Sequence, residues 1–238
     1  MKNKLYLTIA AVIVFSSSIN LANAEKNTSA VSVAPYVSSK ISFGWVKAHN
    51  LSADVPLLAG TSFASSGHTD GVWGTKLAIG ADTAIKAIHG SIRTELELGF
   101  NSAYENNGLV SNSSPSTWDY TNIESKTFLF NLYYDLNTCS KFTPYIGGGL
   151  GLSHLDSSVT AADPAAGWSF SSRKSVNKFS WQVGAGVAYA LNDKVDLDLG
   201  YRYSDWGSLS STLTGVIDIP IKADLRSHEV LLGLRYTF

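Results

Sequence analysis

The chain has 238 residues, of which 45% are hydrophobic, 11% aromatic and 16% charged, with a formal net charge of −1. That balance excludes the basic excess of a nucleic-acid binder, and beyond the amino terminus no run of eighteen apolar residues offers a helical membrane span. One cysteine, Cys139, excludes an internal disulfide framework, so the fold must hold by other means.

Met1–Ala24 carries Lys2 and Lys4, an apolar run from Leu5 to Phe15, and Ala22-Asn23-Ala24 after a Ser-rich stretch. This is the pattern of a secretory signal peptide cleaved after Ala24, with an apolar core too short to remain as a span. Removing Lys2 and Lys4 leaves 16 basic residues against 19 acidic, a mature net charge of about −3. Residues 25–238 have a length that suits one all-β domain.

From Val31 onward the pattern has a period of two, which predicts strands. Val31–Lys47 places Val37, Ile41, Phe43 and Trp45 on one face and Lys40, Ser42 and Gly44 on the other. His49–Gly71 loses the alternation and reads as a polar loop. Val72–Asp82 sets Trp73, Leu77 and Ile79 against Gly74, Lys76, Gly80 and Asp82. After a short connection, Ser91–Phe100 sets Ile92, Leu96, Leu98 and Phe100 against Arg93, Glu95, Glu97 and Gly99.

A second polar loop, Asn101–Asn122, precedes the strand Ile123–Leu136, with Phe128, Phe130, Leu132 and Tyr134 on one side and Asn131, Tyr133 and Asp135 on the other. The short turn Asn137–Lys141 leads to Thr143–His154, and Asp156–Lys178 reads as a third loop. Phe179–Ala190, the turn Asn192-Asp193-Lys194 and Val195–Ser204 follow, then a fourth loop at about Asp205–Asp224. Within that loop Ile217, Ile219 and Ile221 still alternate, so the last strand can begin earlier if Pro220 takes an edge or bulge position.

The closing stretch Arg226–Phe238 lines up His228, Val230, Leu232, Leu234, Tyr236 and Phe238 opposite Ser227, Glu229, Leu231, Gly233, Arg235 and Thr237. The nearly continuous apolar face opposite a face with charges is the inverse of a soluble sandwich and predicts a membrane barrel. Eight strands result, and their connections alternate long and short from the first. External loops of such barrels are long and periplasmic turns short, so both ends fall on the periplasmic side. In that orientation Trp45, Trp73, Phe100, Phe128, Trp181 and Tyr203 reach the outer rim facing lipid, and Tyr134, Tyr189, Tyr236 and Phe238 the inner rim, where Tyr36 is expected to join them.

The pattern resembles the small eight-stranded outer-membrane barrels of the OmpA, OmpX and opacity-protein type, within the porin-family outer-membrane proteins. The residues carrying the likeness are Thr143–Gly151, Gly184–Tyr189, Leu199–Tyr203 and Leu234–Phe238. The resemblance implies an eight-stranded antiparallel up-and-down barrel in the bacterial outer membrane, in contact with outer-membrane lipids and lipopolysaccharide. It also implies periplasmic chaperones and the barrel-assembly machinery as partners, with Tyr236 and Phe238 in the terminal assembly signal. External loops of the family act as adhesins or surface antigens toward host or environmental ligands.

Inward faces carry Lys40, Lys76, Arg93, Arg202 and Arg235 with Asp82, Glu95, Glu97, Asp135, Asp196, Asp198 and Glu229. An eight-stranded barrel is only wide enough to be filled by side chains, so these charges must pair or hold ordered water. Counting along the strands predicts Lys76 near Glu97, Asp198 near Arg235 and Arg202 near Glu229; the alternative is an ion path through the same charges. Ser153, His154 and Asp156 raise a hydrolase reading, and His49 with His68 a metal or haem site, but neither set forms a recognised motif. No catalytic cluster, cofactor or metal site is expected. The leading reading is a non-enzymatic surface barrel whose four loops do the biological work, with a small pore as the alternative and a haem- or metal-binding surface protein as a further one.

Overall fold

The computed structural model describes residues 31–54, 62–65, 69–85, 89–107, 118–163, 167–213 and 219–238. The expected signal peptide, 1–24, lies outside them. The elements are β1 (Val31–Asp54), β2 (Ser62–Ser65), β3 (Thr69–Ile85), β4 (Gly90–Asn107), β5 (Trp118–Leu136), β6 (Phe142–Asp163), β7 (Trp168–Ala190), β8 (Val195–Leu213) and β9 (Ile219–Thr237). Each long strand pairs antiparallel with the next in sequence, and β9 returns to β1, with Tyr36↔Thr237 and Lys47↔Arg226 among the closing pairs. Closure removes the exposed edges that an open sheet would leave unpaired in lipid. Among the described residues the short β2 pairs only with the outer end of β1, and it adds no stave to the wall.

Through the bilayer band the alternation works as the residues demand. Phe43, Leu98, Phe130, Ile146, Leu150, Val183, Leu199, Leu232 and Leu234 stand outward and exposed, while Lys76, Glu97, Asn131, Gln182, Asp198 and Glu229 are buried inside. Large inward rings fit because glycine faces them: a Cβ on Gly147 would collide with Tyr133, and one on Gly200 would lie 2.7 Å from the Tyr145 hydroxyl.

Two expectations are corrected. Tyr36 does not join the inner rim; it is 1% exposed and points into the lumen, since it shares the parity of Lys40. The four polar loops are also far shorter than expected, because the wall strands run 17 to 24 residues. Asp156–Lys178, read as loop, is mostly the outer halves of β6 and β7, paired without interruption from Asp156↔Ser175 to Asp163↔Trp168. Similar extensions of β1, β4, β5, β8 and β9 occupy much of the other three. Outside the bilayer the wall no longer has to be apolar, so the alternation that marked the strands fades while the backbone ladder continues. Pro220 falls within β9, beyond the last pair that β9 makes with β1, so its missing N–H breaks no closing bond.

Register shifts fall at His49/Ser52, Asn101/Tyr104 and Asp205/Gly207, all in the outer part of the wall. At the last of these Gly207 takes φ 88°, the left-handed conformation a bulge of this kind requires.

Candidate functional site

Two layers fill the lumen. The deeper one is ionic. Glu97 on β4 and Arg202 on β8 face each other across the barrel and form a two-pronged pair, with Nη1 2.6 Å from Oε1 and Nη2 2.8 Å from Oε2. Lys76 Nζ donates to Glu229 Oε1 at 3.1 Å, and the Ser42 hydroxyl donates to the same oxygen at 2.9 Å. Lys40 Nζ lies 3.5 Å from Glu95 Oε1, an oxygen that also accepts from Asn131. Tyr36 donates to the other Glu95 oxygen at 3.0 Å.

Nearer the periplasm Arg93 pairs with Asp135 at 3.1 Å and packs against both Tyr133 and Tyr145, its guanidinium carbon 4.5 Å and 4.8 Å from the ring centres. Arg235 pairs with Asp196 at 2.9 Å and reaches across to Asp135 at 3.5 Å. Asp198 accepts from the Tyr145 hydroxyl at 2.7 Å. What space remains includes a void of about 20 Å³ among Lys40, Tyr133, Tyr145, Gln182 and Arg202, room for roughly one water.

The predicted charge set is therefore assembled, with Lys76 in electrostatic reach of Glu97 and Arg202 of Glu229 as expected, but the shortest ion pairs are others. Lys76 takes Glu229 and not Glu97, Arg202 takes Glu97 and not Glu229, and Arg235 takes Asp196 and Asp135 and not Asp198. Register does place Arg202 opposite Glu229 on the neighbouring strand. Inside a narrow barrel, however, long side chains converge, and a guanidinium reaches a carboxylate on the far wall as readily as one beside it. Separation along the strands predicts Cα neighbours; the ion pairs follow the lumen.

The outer layer was not foreseen. Val46 (β1), Val72 (β3), Tyr104 (β4), Ile123 (β5), Leu155 (β6), Trp206 (β8) and Leu225 (β9) are buried together, with Val176 (β7) packed against them. All eight wall strands contribute, so the layer spans the lumen like a lid above the ionic one. Its signal is a single apolar residue on the inward face just past the polar run: Val46 two beyond Gly44, Leu155 two beyond Ser153, Trp206 two beyond Ser204. One such residue per strand is invisible until the strands are aligned. Burial, aided by the charge of Asp70, pushes the Tyr104 hydroxyl up to about 12, so the group stays neutral.

At the inner end Tyr236 and Phe238 pack edge to face at 5.3 Å, both exposed toward lipid. The Phe238 N–H donates to the Pro35 carbonyl at 3.1 Å, on the seam that closes the barrel.

Comparison with known proteins agrees with this architecture. A family model described as the outer membrane protein beta-barrel domain matches residues 7–238. The chain belongs to the outer-membrane β-barrel family. The barrel is 30% identical over 179 residues to the outer membrane protein PagN of Salmonella typhimurium, covering 71% of this chain and 74% of PagN. It is 28% identical over 125 residues to opacity protein V28 of Neisseria gonorrhoeae, covering 44% of this chain and about half (49%) of that protein. Among solved structures, Neisserial surface protein A superposes with a TM-score of 0.50 at 22% identity, covering 87% of this chain and 99% of that one. The likeness to that structure is one of fold. As in the family at large, the barrel resides in the outer membrane.

The residues weighed for other chemistry stand apart in the barrel. Ser153 points into the lumen and donates to the Trp206 carbonyl, while His154, its neighbour on the same strand, points outward to Asp156 at 3.2 Å and Asn177 at 2.6 Å. Strand parity puts the hydroxyl and the imidazole on opposite faces, so they form no nucleophile and base pair. Among the described residues no cluster of three or more His, Cys, Asp or Glu could hold a metal ion. His49 is described only as backbone of β1, His68 falls outside the described residues, and Cys139 is exposed in the β5–β6 turn.

Proposed function

We propose that the barrel is a non-enzymatic surface protein that works through its external part, as an adhesin or surface antigen. The observation that carries this reading is the surplus length of the wall. A membrane strand needs about 9–11 residues, yet β6 has 22 and β7 has 23, paired to their outer ends. Roughly ten residues of each, on the order of 30 Å along the strand, stand beyond the lipid as a paired wall. That wall and the connections it carries are the surface offered to a host or environmental ligand.

The test replaces residues 157–174 of the β6–β7 hairpin by a two-residue Asn-Gly turn, leaving the bilayer band intact. Expected are normal insertion and heat-dependent gel mobility with loss of attachment to host cells or matrix. Attachment at the full level by this variant, and by equivalents trimmed at the other three external hairpins, would discard the reading.

The apolar layer argues against a pore, because an ion crossing the lumen would have to enter eight packed apolar side chains after leaving a paired ionic network. Planar bilayers containing the barrel are expected to stay silent.

A further inference from the structure

Of the ladders that join the wall strands, the one between β7 and β8 is the shortest. It runs from Ala190↔Asp196 to Trp181↔Asp205 and stops at the bulge that holds Gly207. Beyond that point β7 continues outward to Trp168 paired with β6 alone, and β8 continues to Leu213 paired with β9 alone. The ladder between β3 and β4 also ends early, at Gly74↔Asn101. There, however, the Trp73 N–H donates to Ser102 Oγ at 3.1 Å and the Glu105 N–H to Asp70 Oδ2 at 2.8 Å, so side chains replace the missing pairs. Among the described residues no such bridge joins β7 to β8 beyond Gly207.

The backbone groups left open on β7 follow from strand parity. The Ala190 N–H donates to the Lys141 carbonyl on the β6 side, and the Leu191 N–H to the Val195 carbonyl on the β8 side. Pairing with β6 continues without a register shift to Asp163↔Trp168, so the odd-numbered residues of β7 aim their N–H and C=O toward β8 throughout. The Phe179 carbonyl agrees, since a Cβ on Gly207 would lie 3.0 Å from it. Further out, Ser169, Ser171, Arg173, Ser175 and Asn177 are all exposed and pair on that side with no strand among the described residues. Residues 169–177 thus present a free sheet edge about 30 Å long.

The edge is basic on its luminal face. Lys174 and Lys178 share the face of Val176, and the residues beside them on β6 (Ser153, Leu155, Ser157) and on β8 (Trp206, Gly207) carry no charge. On the opposite face Arg173 is exposed; Asp156 nearby is already held by Lys126, His154 and Ser175, and Asp205 by the Gly207 N–H. Neither Arg173, Lys174 nor Lys178 makes an ion pair with a described residue. Such an edge repels a basic strand and admits an acidic one.

We propose that the outer edge of β7 binds an extended acidic peptide of a partner protein as an added strand. Backbone groups of the odd-numbered residues 169–177 supply the ladder, and carboxylates on alternate peptide residues meet Lys174 and Lys178. The proposal rests on the surface reading above and names the conformation and charge of what is bound.

The experiment immobilises the full mature chain refolded in non-ionic detergent, offers it a library of random nine-residue peptides, and sequences those captured by mass spectrometry. Expected are Asp and Glu enriched over Lys and Arg by roughly fivefold at alternate positions, and slowed amide exchange within residues 169–177 when a captured peptide is added. Ser171→Pro/Ser175→Pro removes two N–H groups that face the open side and none that pairs with β6, and should cut capture by about tenfold or more. Ser171→Ala/Ser175→Ala should retain it, and Lys174→Glu/Lys178→Glu should shift the enrichment to Lys and Arg. Heat-dependent mobility reports folding, and the Glu variant decides if the proline variant does not fold. No captured peptide, equal capture by the proline variant, or an enrichment unmoved by the Glu variant would each overturn the proposal. Host-cell attachment that is lost on trimming the β6–β7 hairpin while no peptide is captured would overturn the edge and leave the surface reading standing.

Discussion

The barrel wall is built twice over, with opposite polarity, along the same strands. Within the bilayer band Leu98, Phe130 and Leu232 face out while Lys76, Glu97 and Glu229 are buried inside; a few residues further along, Lys126, Asn177 and Arg226 face out while Leu155, Trp206 and Leu225 are buried inside. The parity of the pleat is the same in the two regions on every wall strand but β4, where the register shift at Asn101/Tyr104 moves it by one residue. What changes is the solvent: lipid requires an apolar exterior and leaves charges to pair within, whereas water accepts a polar exterior and drives apolar groups inward. The outer part of this membrane protein is therefore organised like a soluble barrel.

The contrast can be broken most severely in the ionic layer. Glu97→Ala leaves Arg202 buried without its two-pronged partner, a change expected to cost about 3–5 kcal/mol, whereas Glu97→Ala/Arg202→Leu should recover most of that loss. Urea unfolding in detergent micelles measures both, and a cost below about 1 kcal/mol for the single variant would mean that this layer is wet. In the outer layer the damage should come from lost volume, not lost charge. Leu155, fully buried, is expected to cost about 2–5 kcal/mol as Leu155→Ala, and Leu155→Met much less.

The outward faces sharpen the comparison. Phe130→Arg places a charge against lipid and should cost about 2–4 kcal/mol near the midplane, while Asn177→Arg, beyond the lipid, should stay within about 0.5 kcal/mol. Refolding yield into vesicles ranks the two, and equal yields would refute the change of solvent along the wall. Deleting Phe238 removes one lipid-facing ring, about 1.5–3 kcal/mol of burial, and the N–H bonded to Pro35. If Tyr236 and Phe238 also form an assembly signal, the loss of outer-membrane yield in cells will far exceed the loss of stability after refolding in vitro. Normal yield in cells would remove the signal; equal failure in both settings would make Phe238 a stability residue alone.

The smallest effect concerns pH. The Ser175 hydrogen bond, with Lys126 and His154 nearby, holds the Asp156 carboxyl below the usual carboxylate range. Its stabilisation is therefore present above the unfolded-state carboxylate pKa and lost as pH falls through the lower folded value. For so exposed a group it amounts to about 0.2–1 kcal/mol. Asp156→Asn should flatten that part of the stability profile between about pH 5 and 2, and an unchanged profile would show that the group contributes nothing.

Much of this was legible in the residues. The two-period pattern, the alternating long and short connections and the outward aromatics gave strand number, orientation and membrane placement, because lipid acts on each strand separately and writes its demand on every second residue. The inward charges were legible as a set for the same reason. Their partners were not: Arg202 sits opposite Glu229 in register yet binds Glu97, a choice made by the width of the closed lumen. Nor was the apolar layer, since Val46, Ile123 and Leu225 are single residues in polar stretches and acquire a common function only when eight strands bring them to one level. Sequence thus determined what each strand presents to lipid, a local contact repeated every two residues; the tertiary structure alone decided what the strands present to one another, because those contacts join residues a hundred positions apart and exist only once β9 has closed on β1.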